Sequence, residues 1–119
     1  MSLIQEYRDR IIKDLKSLNI DTEGFKLVLK PFSKSYYGRY KVSTKTIWVY
    51  IYADKQCTKL YPYDRLFETV LHECVHHIQW SDPHYIRVKG VMHNPEFYLI
   101  YNRLIRKYRI YKIIKHRRC

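Results

Sequence analysis

The sequence predicts an α+β domain built from three helices and a small three-stranded sheet. Apolar residues recur at helical spacing in three segments, near the start, in the middle and at the end of the chain. Between the first two segments, short runs rich in β-branched and aromatic residues indicate strands. Because 119 residues can bury a core without disulfides, we expect a single domain over residues 1–119.

The first helix is predicted over residues 3–18, where apolar residues share one face and charged residues separate them. Asn19 is expected to end it. Three strands follow: residues 25–29 alternate in polarity, residues 38–40 open a second extended run, and residues 46–52 are β-branched and aromatic. In the third strand, one face should cover the core and the other should be aromatic. The expected core residues there are Ile47, Val49 and Ile51, and the aromatic face comprises Trp48, Tyr50 and Tyr52.

Two further helices are predicted in the second half of the chain. Residues 62–64 signal the start of the second helix, with Asp64 as its N-cap, and the apolar stripe continues to about Trp80. Residues 81–92 show no periodicity and predict a loop. The third helix is expected to begin at residues 94–96, which provide an N-cap, a first-turn proline and a first-turn acid.

The charge composition favours a polyanionic partner. Lysine and arginine number 23 against 11 acidic residues, giving a net charge of +12. Such a charge on a small body attracts nucleic acid, although a biased composition that serves solubility would give the same excess. The sequence shows neither a membrane span nor an apolar signal peptide, and its three cysteines form no CxxC pair. We expect a soluble monomer in a reducing compartment, the cytoplasm or a eukaryotic nucleus.

The pattern that carries chemistry is HExxH, formed by His72-Glu73-Cys74-Val75-His76 in the second predicted helix. Residues four apart lie on the same helix face, so both imidazoles can bind one metal ion while Glu73 holds a water molecule against it. Both histidines lie off the apolar stripe, where core packing gives no reason for them; Cys74 lies on the stripe and is expected in the core. A metal site is therefore favoured over a pair of solvated surface histidines.

A third ligand must come from elsewhere in the chain, because catalytic zinc uses three protein ligands and keeps a fourth position open. His93 is the first choice, since it directly precedes the cap of the third helix, which can hold its side chain over the metal. Glu96 is the second choice, because another class of zinc peptidase uses a carboxylate ligand. The other competitors are His77, Asp82 and His84.

Around these residues the sequence resembles the SprT-like (Spartan-type) zinc metalloproteases. HExxH is preceded by LFETVL (residues 66–71) and followed by HNPEF (residues 93–97), which is similar to the HGxxF-type motif of that family. Upstream, GRY (residues 38–40) and the strand after it are similar to the segment that those proteases place before the active-site helix. The resemblance covers about residues 36–105. Asn94 stands where the family usually has glycine, and the zinc ribbon of bacterial members is missing.

The resemblance implies a minimal zincin-like fold, with an N-terminal helix, the three-stranded sheet, the HExxH helix and a C-terminal helix. It also implies one catalytic Zn²⁺ bound by His72, His76 and His93, with Glu73 as the general base. Zinc acidifies its bound water and polarises a peptide carbonyl, so the implied activity is that of an endopeptidase. Because SprT-like proteases act on proteins crosslinked to DNA, the implied partners are a DNA-bound protein substrate and DNA. Single-stranded DNA is favoured, because the sequence has 13 tyrosines and aromatic rings beside cations hold single strands by stacking.

Two further roles stay open in the sequence. Residues 46–52, if they form the sheet edge beside the site, could bind an extended peptide by β-addition. A tyrosine could also assist the oxyanion, and the sequence does not choose among Tyr36, Tyr37, Tyr98 and Tyr101.

The basic C-terminal tail, residues 103–119, is the predicted nucleic-acid interface. No acidic residue follows Glu96 in the sequence, and clustered lysines and arginines are suited to binding phosphates. The candidate contacts are Arg103, Arg106, Lys107, Arg109, Lys112, Lys115, Arg117 and Arg118. The alternative is a solvated helix face with a frayed basic end.

The predicted function is a zinc-dependent endopeptidase that acts on DNA-associated or DNA-crosslinked proteins. One alternative is a zinc peptidase that cleaves a single regulatory protein without DNA. Another is a non-catalytic, basic nucleic-acid-binding module with structural zinc. A closed site, with Glu96 or His84 as a fourth ligand, would support that module.

Overall fold

The computed structural model describes residues 2–85 and 93–117. The elements in chain order are α1 (Leu3–Ser17), β1 (Lys26–Lys30), β2 (Gly38–Lys41), β3 (Thr46–Tyr50), α2 (Tyr63–Ser81) and α3 (Pro95–Arg117), with a short 3-10 turn (Val42–Thr44) before β3. Every predicted helix and strand is present. Most of the predicted loop over residues 81–92, together with Arg118 and Cys119, lies outside the described residues. None of the described helices is long and apolar enough to cross a bilayer.

Local hydrogen bonds and backbone conformation set the ends of α1. Ser2 Oγ accepts a hydrogen bond from the Gln5 backbone N–H at 3.1 Å and caps the helix. At the other end, Asn19 adopts a left-handed φ of 60°. Asparagine tolerates this conformation better than most residues, so α1 stops where the sequence predicts. Ile11 and Leu15 are fully buried on its inner face.

The sheet has the order β1-β3-β2, with β3 in the centre. β3 pairs in parallel with β1 and antiparallel with β2. The prediction that residues 46–52 form an edge strand open to β-addition is therefore wrong. β3 is the most buried of the three strands, whereas β2 alternates between half-buried and exposed residues, as an edge strand does.

Alternation along β3 separates the core from a half-buried aromatic face. Ile47, Val49 and Ile51 are buried, while Trp48 and Tyr50 are half-buried on the other side, which confirms the predicted faces. α1 contacts β1, and α2 contacts β2 and β3, so these helices cover the buried face. The rest of the core includes Leu27, Leu29, Leu66, Phe67, Val70, Leu71, Cys74, Ile105 and Tyr108.

α2 begins at Tyr63, with Pro62 as an N-cap residue that offers no side-chain hydrogen bond. The prediction of Asp64 as the N-cap is therefore wrong. The Asp64 carboxylate accepts a hydrogen bond from the Tyr108 hydroxyl at 2.6 Å and pairs with Lys112 at 3.0 Å. These α3 side chains satisfy the carboxylate in place of the backbone N–H groups of α2, so Asp64 ties α2 to α3.

Candidate metal centre

His72, His76 and His93 converge between α2 and the start of α3. One ligand nitrogen from each histidine lies within 4.8 Å of the other two, and His72 Nε2 is 3.1 Å from His93 Nε2. His72 and His76 are one helical turn apart, so their rings share one face of α2. The structure thus brings the three histidines singled out in the sequence together.

The N-terminal cap of α3 places His93. Asn94 Oδ1 accepts a hydrogen bond from the Phe97 backbone N–H at 2.8 Å, and Pro95 takes the first helical position, as the sequence predicts. His93 immediately precedes this cap. The fully buried Phe97 contacts all three imidazoles of the cluster, with ring centroids 4.7 to 4.8 Å apart. Phe97 is therefore an apolar support for the site.

Glu96 and His77, two competitors for the third ligand position, have other contacts. Glu96 Oε1 accepts a hydrogen bond from Gln79 Nε2 at 3.3 Å. His77 leaves α2 in another direction, where Nδ1 lies 2.8 Å from the Tyr40 hydroxyl. Neither side chain belongs to the ligand group of the three histidines.

Among residues 2–85 and 93–117, no fourth protein ligand joins the three histidines. The remaining competitors, Asp82 and His84, lie in the turn after α2, where the Asp82 carboxylate accepts a hydrogen bond from the His84 backbone N–H at 2.8 Å. Structural zinc sites have four protein ligands, whereas catalytic sites have three and an open position. The described cluster has three ligands.

The ligand chemistry of the cluster and the spacing of His72 and His93 fit a zinc ion. Burial, together with the neighbouring histidines, lowers the pKa of His72 and of His76 to about 4. Both rings are therefore neutral at pH 7, which is the form that binds a metal. Tetrahedral zinc with bonds of about 2.0 Å holds its ligand nitrogens about 3.3 Å apart, close to the 3.1 Å between His72 and His93.

Glu73 presents a mostly buried carboxylate beside this cluster. The residue is 7% exposed, and burial raises the pKa of Glu73 to about 7. Its Oε2 atom is 4.0 Å from His72 Nε2. Glu73 and His72 both line an open cleft of about 440 Å³, so a molecule in the cleft meets the carboxylate and one histidine of the cluster.

The chain leading into β2, together with α2 and α3, supplies the other walls of the cleft. These walls comprise Ser35, Tyr36, Tyr37, Gly38, Arg65, Glu68, Thr69 and Tyr101. Three of the four tyrosines considered for the oxyanion therefore line the cleft. The fourth, Tyr98, contacts the His93 ring at 6.3 Å. Tyr101 is the cleft tyrosine whose ring contacts His72, at 5.7 Å between centroids.

Gly38 allows β2 to approach the HExxH helix closely. A Cβ atom on Gly38 would lie 2.7 Å from Thr69 Cγ2, 3.2 Å from the Trp48 carbonyl oxygen and 3.3 Å from Glu73 Cγ. Any larger side chain would push against α2 at Glu73. The glycine that opens the GRY segment is thus a packing requirement of the site.

A crystal structure of Wss1 from Saccharomyces cerevisiae has a similar fold. The two chains superpose with a TM-score of 0.63 at 19% sequence identity, over 98% of this chain and 80% of the Wss1 chain. The predicted α+β, zincin-like class is confirmed. No protein-family model and no curated protein sequence matches the chain. The likeness to Wss1 is thus one of fold.

Three of the basic residues predicted to contact nucleic acid have partners within the protein. Lys107 Nζ donates a hydrogen bond to the Leu18 carbonyl at 2.6 Å, at the end of α1. Lys112 pairs with Asp64, as described above. Lys115 Nζ is 4.0 Å from Asp14 Oδ1 in α1. Part of the positive charge of α3 therefore connects α3 to α1 and α2.

The arginines of α3 are more exposed to solvent. Arg103, Arg106 and Arg109 are all exposed, and the last two line a groove of about 280 Å³. Glu68 and Tyr101 line both this groove and the cleft, so the two concavities adjoin. α3 stays helical as far as Arg117, and Arg118 lies outside the described residues.

Sequence reasoning missed Gln79 and Arg65, which shape this region, and named Phe97 only as the last residue of the HNPEF segment, without its contacts to the three imidazoles. Gln79 follows His76 by three residues, a spacing that puts it on the ligand face of α2. Arg65 lies over the Tyr37 and Tyr61 rings at 4.6 and 5.2 Å, and nothing local in the sequence indicates this contact.

Proposed function

We propose that the protein is a SprT-like (Spartan-type) zinc endopeptidase that acts on proteins associated with or crosslinked to DNA. The observation that carries the proposal is the convergence of His72, His76 and His93, of which His72, together with Glu73, lines an open cleft. Three imidazoles and an adjacent carboxylate are the groups that zinc-dependent peptide hydrolysis needs. The zincin-like fold supports the same reaction class.

His72, His76 and His93 would hold the metal, which when bound supplies Lewis acidity toward water and a peptide carbonyl. Glu73 is the general base of the proposed reaction. Its Oε2 atom lies 4.0 Å from His72 Nε2, within reach of a water molecule at the centre. The carboxylate would accept a proton from that water and pass it to the leaving amine. Phe97 closes the inner side of the three imidazoles to solvent.

The substrate chain would enter the cleft beside β2. Within the described sheet, β2 pairs with β3 alone, so its outer edge has backbone groups for an extended peptide. The residues just before β2 line the cleft. This path brings a peptide carbonyl past His72 and Glu73, with Tyr101 as the tyrosine best placed to donate a hydrogen bond to the oxyanion.

The exposed arginines of α3 support the nucleic-acid part of the proposal. Phosphates bound by Arg106 and Arg109 would lie in the groove that adjoins the cleft. The net charge of +12 favours the same partner. Single-stranded DNA is the proposed form, because aromatic rings beside cations stack on unpaired bases and Tyr101 lies between the groove and the cleft.

The test is a cleavage assay on a DNA-binding protein, and on the enzyme itself, without DNA, with single-stranded DNA and with duplex DNA. We expect DNA to stimulate the wild type. Glu73→Gln should keep zinc but lose at least about 100-fold in rate, the lower end of what a general base contributes. Glu23→Gln removes an exposed carboxylate between α1 and β1 and should behave as the wild type.

The other outcomes separate the alternatives. Undiminished cleavage by Glu73→Gln would contradict the assigned base. Cleavage of one defined protein, with no effect of DNA, would favour the peptidase specific for a regulatory protein. Binding of zinc and DNA without cleavage of any substrate would favour the non-catalytic module.

A further inference from the structure

Gln79 is a buried polar residue that continues the ligand face of α2. His72, His76 and Gln79 occupy positions i, i+4 and i+7, so they lie along one side of the helix. Gln79 is only 1% exposed. Glutamine is seldom buried to this extent unless hydrogen bonds satisfy its amide, so its partners explain its position.

Both partners of the Gln79 amide group belong to the start of α3. Gln79 Nε2 donates to Asn94 Oδ1 at 3.2 Å and to Glu96 Oε1 at 3.3 Å. An amide NH₂ has two N–H groups, so these acceptors use both. Asn94 Oδ1 also accepts the Phe97 backbone N–H at 2.8 Å. One oxygen atom therefore joins the α3 cap to α2.

This hydrogen-bonded group lies beside the third histidine. His72 and His76 are fixed relative to each other because one helix carries both, whereas His93 comes from a different element. The relative position of α2 and the α3 cap therefore sets the distance of His93 from the other two. Gln79 is one turn from His76 and bonds directly to the residue after His93.

We propose that Gln79 is a positioning residue that holds His93 in the metal centre through Asn94. The inference rests on the proposed metal site. It also gives Glu96 a role other than that of a ligand, since its carboxylate orients the Gln79 amide toward Asn94. Partners that orient metal ligands are worth about 10- to 100-fold in metal affinity.

The test measures zinc affinity of the full chain by competition with a chromogenic chelator. Gln79→Met keeps the length of the side chain and removes both hydrogen bonds, and we expect zinc to bind about 10- to 100-fold more weakly. Gln79→Glu keeps the shape and turns a carboxylate oxygen toward Asn94 Oδ1 and Glu96, so it should weaken binding as well. If Gln79→Met does not fold, the zinc affinity of Gln79→Glu still tests the proposal.

Thermal unfolding of the metal-free variants separates positioning from a purely structural role. A structural role predicts a lower melting temperature with unchanged zinc affinity, which would overturn the proposal. Tyr63→Phe, at the far end of α2, is the matched control: it removes a buried hydrogen bond and should lower stability while leaving zinc affinity intact.

A double-mutant cycle tests whether Gln79 acts through His93. In a His93→Ala background, Gln79→Met should cause no further loss of zinc affinity, because the ligand that it positions is gone. An additive loss would contradict the proposal. If His93→Ala binds zinc as tightly as the wild type, the proposed metal site itself fails. If His93→Ala weakens zinc and Gln79→Met does not, only the role of Gln79 is overturned.

Discussion

His72 Nε2 and His93 Nε2 lie 3.1 Å apart, although 21 positions separate the two residues along the chain. Imidazole nitrogens this close can share a proton, and they can equally share a metal ion. Burial lowers the pKa of His72 to about 4, so at neutral pH its ring can accept a metal without first losing a proton. A bound metal would connect α2 to the start of α3, and metal binding should therefore raise the free energy of unfolding.

We expect Zn²⁺ to raise the melting temperature of metal-free protein and His93→Ala to lose most of that rise. Zinc at about 100 times its Kd adds about 2.7 kcal/mol to the free energy of unfolding. The measurement is thermal unfolding during a zinc titration after chelation. His84→Ala removes an exposed histidine outside the cluster and should keep the full shift. An equal shift in His93→Ala would contradict its assignment as a ligand.

Gly38→Ala should slow peptide hydrolysis by displacing α2 near Glu73. The added methyl group would lie 2.7 Å from Thr69 Cγ2 and 3.2 Å from the Trp48 carbonyl oxygen, so the Thr69 side chain, the strand or the helix must shift to make room. Thr69→Ser removes that methyl group and should restore part of the rate to Gly38→Ala. Rate constants of the two single variants and the double variant check this. No recovery in the double variant would show that the clash lies elsewhere.

Neutralising Arg106 and Arg109 should reduce the salt dependence of DNA binding. Each phosphate contact on a single strand contributes about 0.7 to the slope of log K against log salt concentration. Arg106→Gln/Arg109→Gln is therefore expected to lower that slope by about 1.4. Fluorescence anisotropy with a labelled single strand measures it. Lys13→Gln/Lys16→Gln, which makes the same charge change on α1, should leave the slope close to wild type. An unchanged slope in the arginine variant would remove these residues from the interface.

Tyr63→Phe should destabilise the fold, because it takes a donor from a buried carboxylate. The Tyr63 hydroxyl donates to Asp14 Oδ2 at 2.6 Å, and Asp14 is only 3% exposed. Burial and the Asp14 carboxylate raise the pKa of Tyr63, so the hydroxyl stays a donor at neutral pH. The expected loss is about 1–3 kcal/mol in the free energy of unfolding, measured in urea. Tyr36→Phe changes an exposed ring and should cost much less; equal losses would contradict this reading.

Asp64→Asn should change the dependence of stability on pH. Hydrogen bonds from Tyr108 and then from Lys112 lower the pKa of Asp64 below 3.8. A lowered pKa in the folded state adds stability above the pKa of the unfolded chain, and this stability is lost as the pH falls through the folded value. The difference in unfolding free energy between wild type and Asp64→Asn should thus shrink as the pH falls below the ordinary pKa of an aspartate, about 3.9. A difference that stays constant with pH would contradict the assignment.

Local patterns predicted the helices and strands because their causes are local. Alternation in residues 46–52 identifies which side chains of β3 face the core, and Asn19 and Asn94 mark a helix end and a helix start. The order of strands in a sheet is different, since periodicity gives the faces of a strand and not its neighbours. The alternation in residues 46–52 would be the same in an edge strand and in a central strand. Only the folded chain shows that β3 is central and that β1 and β2 flank it.

Helix geometry and helix capping made part of the site predictable from the sequence. HExxH spacing defines two histidines, and the cap at Asn94 singles out His93. The charge pattern alone could not separate basic residues that bind other parts of the protein from those exposed to solvent. Lys107 and Lys112 have partners 89 and 48 positions away in the sequence. Gln79 was missed for the same reason, since its acceptors lie 15 and 17 positions away, at the start of another helix.

The third histidine precedes the same helix that carries the arginines. α3 runs from Pro95 to Arg117, and Arg106 lies about 16 Å along its axis from Pro95 at a rise of about 1.5 Å per residue. Because the helix is continuous, it fixes the distance between the metal centre and the arginines. Under the proposed function, a phosphate strand bound at the arginines would limit cleavage to peptide bonds that lie at a set distance from the DNA.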